Sequence, residues 1–272
     1  MNLLIYFIVF FSLYPCNFYK SNYTNIDANK NTFLADSINN KHSIPDNLKK
    51  LLKAYPEFLD SANETTLFWK DGMQMLWDDG IENKRHDEKL NNPDLEDMMS
   101  QKYVKGMNWD SPPAENFEPG RIRYEPFFKK MYGSSSNEVK RNLVTVKWLP
   151  SVCGCLVQFN NINGAADKLK AVSDEIEALG TEFHKYINKT AGTFNWRNIA
   201  GTNRLSTHAF GTAIDISTKY SNYWQWDGDM IWKNQIPMEI VEIFEKHGFI
   251  WGGKWYHYDT MHFEYRPELL ID

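Results

Sequence analysis

The chain has 272 residues, 30 Lys and Arg against 35 Asp and Glu for a net charge of −5, and hydrophobic and charged fractions of 42% and 24%. These are the proportions of a soluble globular protein of one large or two modest domains, which excludes a mostly disordered, a collagen-like or a polytopic membrane chain. An acidic chain needs a basic patch to hold nucleic acid. The densest cationic cluster, Lys129, Lys130, Lys140 and Arg141, shares its segment with Glu125 and Glu138, so no nucleic-acid partner is expected. Aromatic residues make up 15% of the chain. They supply cores and also line carbohydrate and peptide grooves, and composition does not separate these uses.

Residues 3–13 (LLIYFIVFFSL) form a continuous apolar run with Ser12 as its polar member. Such a run suits the central region of a signal peptide and is too short for a transmembrane helix, which needs ~20 residues. Residues 1–16 are therefore read as a signal peptide. The protein is expected outside the cytoplasm, periplasmic or extracellular, with no stable membrane span after processing. No basic residue precedes the run, and Cys16 follows Leu13-Tyr14-Pro15, a poor match to a lipoprotein box. Lipidation at Cys16 stays the less favoured alternative. Residues 17–45 are polar and Asn-rich and read as a linker.

Residues 46–140 are expected to form an extension packing on a core at 141–272. A short helix is predicted over 46–52, with Asp46 near its N-cap. Asp71-Gly72 splits 65–77 into a hairpin. A second helical stretch opens at Asn92-Pro93 and runs through Met98 to Tyr103. Pro112, Pro113, Pro119 and Gly120 mark 106–123 as a loop. The alternation in 143–149 (LVTVKWL) predicts a strand. Cys153 and Cys155, either side of one glycine, read as small apolar residues on a strand face. A bridge across one residue is geometrically awkward, and no second Cys or His pair stands nearby to complete a metal site. Asn163 is read as capping a helix over 163–187, whose stripe is Ala166, Leu169, Val172, Ile176, Leu179 and Phe183. A final helix over 237–246 starts at Pro237 and stops before Gly248.

Chemistry concentrates in two segments. The first, Arg204 to Asp215, reads RLSTHAFGTAID, and the second, Trp255 to Glu264, reads WYHYDTMHFE. Thr212, Ile214 and Ile216 alternate, which places Ala213 and Asp215 together on the other face of a strand. His208 then lies on the loop leading into that strand, and His262 on a short strand able to pair beside it. Two histidines and one carboxylate would make a three-ligand zinc site with an open position, the arrangement of catalytic rather than structural zinc. Zinc there would polarise a carbonyl and activate water at neutral pH. Two satisfied histidines and an Asp accepting backbone N–H groups is the plainer alternative. The chain has no H-E-x-x-H helix.

The pattern S-x-H-x-x-G-x-A-x-D, followed about 45 residues later by D-x-x-H, resembles the zinc D-alanyl-D-alanine carboxypeptidase and L-alanyl-D-glutamate peptidase family, of the Hedgehog/DD-peptidase fold. The resemblance runs from about Leu143 to Leu269. It implies an α+β fold, in which a small antiparallel sheet carries the zinc site and helices pack on it. It implies zinc held by His208, Asp215 and His262, with Asp259 as general base. Glu264, two residues beyond His262, is the local competitor and otherwise a partner to a ligand. The family has an Arg upstream of the first His to help stabilise the oxyanion. Arg197 fits, although its gap to His208 is shorter than in many members, and Arg204 is the alternative. Ser206 would orient a ligand or touch substrate. The implied protein is a monomeric exported zinc peptidase acting on the peptidoglycan stem peptide, as a carboxypeptidase or an endopeptidase. The competing reading is a wall-binding module that keeps the fold without catalysis.

Overall fold

In the computed structural model, which describes residues 43–228 and 230–272, helix α1 (Asp46–Ala54) comes first. The predicted signal peptide, most of the linker and Cys16 lie outside the described residues. Leu48, Leu51 and Ala54 recur at helical spacing and form the buried face of α1. Strands β1 (Leu59–Ala62), β2 (Thr66–Trp69) and β3 (Gln74–Leu76) follow as an antiparallel sheet. The β2–β3 turn closes at Asp71-Gly72, where Gly72 takes a φ of +86°.

Helix α2 (His86–Asn91) lies ahead of the stretch expected from Asn92, and that stretch is the shorter helix α3 (Leu95–Met99), which ends before Tyr103. The boundary is a reciprocal cap. The Asp94 carboxylate accepts from the Asp97 N–H at 2.7 Å and the Asp97 carboxylate accepts from the Asp94 N–H at 3.3 Å. Helices α4 (Glu125–Tyr132) and α5 (Ser136–Arg141) lead into the hairpin of β4 (Leu143–Trp148) and β5 (Cys155–Asn160). Within the turn of that hairpin Cys153 and Cys155 are joined as a disulfide, which corrects the reading of two separate thiols. Leu149 and Gly154 both adopt positive φ, and this tight reversal holds the two cysteine Cα atoms 5.3 Å apart, within the range a disulfide spans.

The helix expected over 163–187 is two: α6 (Ala165–Glu177) and α7 (His184–Ile187). Gly180, with φ +141°, interrupts them, while Leu179 and Phe183 still pack partly on the core the stripe pointed to. Asn163 is not the cap. It sits at φ +56°, and its amide donates to the Ala54 carbonyl at 2.9 Å, which ties α6 to the end of α1. Strand β6 (Ala213–Asp215), helices α8 (Trp224–Asp227) and α9 (Met238–Lys246), and strands β7 (Phe249–Trp251) and β8 (His262–Tyr265) complete the chain. The order β6–β8–β7 is antiparallel throughout. The fold is α+β.

Two buried clusters hold it. In one, Leu169, Val172 and Ile176 of α6 meet Phe244 of α9 and Ile214, Phe249 and Phe263 of the β6–β8–β7 sheet. The Phe244 and Phe263 rings stack at 3.8 Å. In the other, Leu51, Trp69, Phe127 and Phe128 from before residue 141 pack with Phe210, Ile250, Trp255 and Leu269. Among the described residues no helix is long and apolar enough to cross a membrane.

Candidate metal centre

Antiparallel pairing of β6 with β8 sets Asp215 directly opposite His262 and Ile214 opposite Phe263. Directly opposed residues share a face, so the apolar pair enters the core and the polar pair faces away from it. His208 comes from the 3-10 turn Thr207–Phe210, whose start is capped by the Ser206 hydroxyl accepting from the His208 N–H at 3.3 Å. Gly211, at φ +67°, then turns the chain from this helical turn into β6. A Cβ at 211 would meet Leu143 Cδ2 at 2.6 Å. Gly211→Ala is expected to cost about 1–3 kcal/mol of stability through overpacking and the left-handed backbone, read as a lower urea midpoint. An unchanged midpoint would show that this turn is not under steric control.

The three side chains converge. His208 Nε2 lies 3.1 Å from Asp215 Oδ2 and 3.3 Å from His262 Nδ1, and His262 Nδ1 lies 2.8 Å from Asp215 Oδ1. The outer nitrogens are tied down. His208 Nδ1 donates to the Thr193 carbonyl at 2.6 Å, which leaves the Nε2 lone pair facing inward. His262 Nε2 faces Glu264 Oε2 at 3.3 Å, which directs its Nδ1 inward in the same way. One ligand atom from each of the three residues lies within 4.8 Å of the other two. Two inward lone pairs and a carboxylate, each imidazole backed by an acceptor, fit a divalent cation such as zinc.

The charges around this point ask for a cation. Burial disfavours a charged His262, yet Asp215 and Glu264 outweigh it and raise its pKa to about 10. Burial would raise Asp215, but the two imidazoles hold its carboxyl well below the usual range. Glu264 is fully buried, and Arg123, His262 and Arg266 keep it ionised. Arg123 donates to it at 2.8 Å and Arg266 at 3.2 Å. With its oxygens engaged in this way, Glu264 is placed to orient His262.

Asp259 differs. It is held by backbone bonds, its N–H donating to the Gly252 carbonyl at 3.0 Å and its carbonyl accepting from the His262 N–H at 3.2 Å. Its Oδ1 is buried with no hydrogen-bond partner. Burial, with the nearby Asp215 charge, pushes its carboxyl above the ordinary range. A carboxyl with one buried, unpartnered oxygen, beside His208, Asp215 and His262, is placed to accept and return a proton.

His208, Asp215, His262 and Asp259 line one cavity of about 350 Å³, together with Ser206 and Arg197. Arg197 is exposed, and its guanidinium donates to the Asn198 carbonyl at 3.3 Å. Arg204 does not line this cavity; it lies in the neighbouring one. The cavity takes two cations that the motifs do not name, Arg121 and Arg123. Their signal in the sequence is the alternation Arg121-Ile122-Arg123 after Pro119-Gly120, with Ile122 buried between two arginines that share the other side. The aromatic segment around 220–232 contributes Tyr223, Trp224 and Trp226 to the wall.

No curated protein and no solved structure matches the chain. Residues 200–265, the stretch that carries His208, Asp215, Asp259 and His262, match the family model described as D-alanyl-D-alanine carboxypeptidase, the peptidase family that the two motifs resemble.

Proposed function

We propose that the chain is an exported zinc peptidase that hydrolyses peptide bonds in the peptidoglycan stem, as a D-Ala-D-Ala-type carboxypeptidase or an L-Ala-D-Glu-type endopeptidase. The observation that carries this reading is the convergence of His208, Asp215 and His262 beside the unpartnered Oδ1 of Asp259 in one cavity. Zinc, when bound by the three ligands, supplies a Lewis acid that polarises the scissile carbonyl and acidifies water. Asp259 takes the proton of the attacking water and returns it to the leaving amine. Arg121, Arg123 and Arg197 are the lining cations available to stabilise the oxyanion or to hold a substrate carboxylate. Glu264 and the Thr193 carbonyl keep the two imidazoles aimed inward.

Muropeptides digested with the purified protein and analysed by mass spectrometry test the reading. New cleavage products that vanish with a chelator and return with zinc are expected. Elemental analysis should find about one zinc per chain, and His208→Ala should lose both metal and cleavage. A His208→Ala protein with full zinc and full activity would refute the ligand assignment.

A further inference from the structure

Beside the metal cavity lies a larger one of about 720 Å³, and Arg121 and Arg123 line both. Arg204 lines the larger one alone of the two. The three guanidiniums differ in how they are satisfied. Arg123 pairs with Glu264 at 2.8 Å and Arg121 with Glu118 at 2.6 Å. Arg204 has no carboxylate partner among the described residues, and its Nε, like that of Arg123, is buried without a hydrogen bond. One carboxylate lines this cavity, that of Glu125, and it is already engaged by the Leu205 N–H at 3.0 Å and by Lys129 at 2.6 Å. Apart from the arginines the remaining wall is neutral and includes Asn92, Asn203, Tyr124 and Phe128.

Arg204 is held from behind by its own turn. The Ile199 N–H donates to its carbonyl at 2.8 Å, and its N–H donates to the Thr202 hydroxyl at 3.2 Å. Burial and the neighbouring Arg123 and Arg121 lower its pKa to about 10, the mark of a cation crowded by others. It stays charged at neutral pH. A half-buried guanidinium with a buried unmade N–H is a costly arrangement unless something supplies the missing oxygen. A planar fork of donors fits a carboxylate better than it fits any neutral group.

We propose that the cavity around Arg204 is a carboxylate-binding subsite, through which the enzyme selects peptides bearing a free carboxylate at a residue away from the scissile bond. The presence of an anion site rests on Arg204 and its surroundings. Its assignment to a peptide carboxylate rests on the peptidase reading above. The carboxylate has two sources, a side chain or a chain terminus, and the probes below separate them.

The test is calorimetric titration of the full-length zinc-loaded protein with N-acetyl-D-glutamate, its two monoamides, its diamide and inorganic phosphate. The acid is expected to bind, the diamide not to, and Arg204→Gln to weaken the acid by about 10–100-fold, the range lost with a charge-assisted pair. The monoamide that still binds names the carboxylate that is read. Arg204→Lys, which keeps the charge but not the fork, should recover binding only in part; zinc content and melting temperature matching the wild type establish that both variants are folded. Equal binding of acid and diamide, acid binding unchanged by Arg204→Gln, or phosphate bound as tightly as the acid with the same dependence on Arg204 would each overturn the proposal. The second arm compares cleavage of stem peptides in acid and amide forms, where the wild type should prefer the acid at least about tenfold and Arg204→Gln should not. If the acid binds through Arg204 and no stem peptide is cut, the subsite stands and the peptidase reading falls. If peptides are cut without an acid preference, the peptidase reading stands and the subsite falls.

Discussion

Asp259→Ala is expected to lower kcat by ~10²–10⁴-fold, the usual weight of a general base, while zinc content and melting temperature stay near the wild-type values. The separation follows from geometry. His208, Asp215 and His262 meet one another, and the two imidazoles their backing acceptors, without help from the Asp259 carboxylate, whose Oδ1 touches no donor. Its backbone bonds to Gly252 and His262 survive truncation to alanine. Glu264→Ala should behave differently. It takes the carboxylate partner from Arg123 and one of two from Arg266, and leaves His262 Nε2 with the Thr207 hydroxyl alone, so it should lose metal affinity, typically ~10–100-fold for a group that orients a ligand. Steady-state kinetics at saturating zinc, with a parallel zinc titration, tells the two apart. A large kcat loss in Glu264→Ala at full zinc occupancy, with little loss in Asp259→Ala, would exchange their roles.

Arg266→Met is expected to cost about 3–5 kcal/mol in guanidinium unfolding, because it strands the buried Glu268 carboxylate and leaves Glu264 with Arg123 as its one guanidinium. Arg266 is fully buried between Glu264 and Glu268, donates to the Gly120 carbonyl at 2.7 Å and lies over the Phe128 ring at 5.1 Å. Glu268 in turn accepts from the Tyr55 hydroxyl at 2.7 Å. A hydrophobic replacement of similar length keeps the packing on Phe128 and removes the charge together with the hydrogen bonds it makes. The Arg266→Met/Glu268→Gln double variant should therefore recover part of the loss, since the stranded Glu268 charge is gone. Strict additivity of the two single changes would show that this buried ladder is not energetically connected.

The ligand geometry was legible because each part of it is local. A strand alternation sets Asp215 apart from Ile214 and Ile216, and a glycine after the first histidine marks the turn into that strand. The α+β class followed from the resemblance. Features fixed by one small residue or by distant partners were not legible. Gly180 interrupts a stripe that continues apolar through Phe183, so periodicity alone extends the helix too far. Asn163 looks like a cap, yet its amide is taken by Ala54, a residue from the far end of the sequence. Cys153 and Cys155 close on each other because two positive-φ residues fold the hairpin turn tightly. Arg121 and Arg123 sit in a segment whose prolines say only that it is a loop. Their approach to the ligands is a product of tertiary packing, and so is the separation of Arg204 into its own cavity.

The cluster that packs Leu51, Trp69, Phe127 and Phe128 against Ile250, Trp255 and Leu269 has a kinetic consequence. The Tyr55–Glu268 bond joins residues 213 positions apart, and Ile250, Trp255 and Leu269 reach that core only with the last stretch of chain. Contacts of such separation must wait for a long loop to close, which slows folding. While the chain is being synthesised from its N-terminus, Phe127, Phe128 and their neighbours pack on one another but lack the cover that Ile250, Trp255 and Leu269 give them. Apolar surface left open in this way is where a partly made chain aggregates or meets a chaperone.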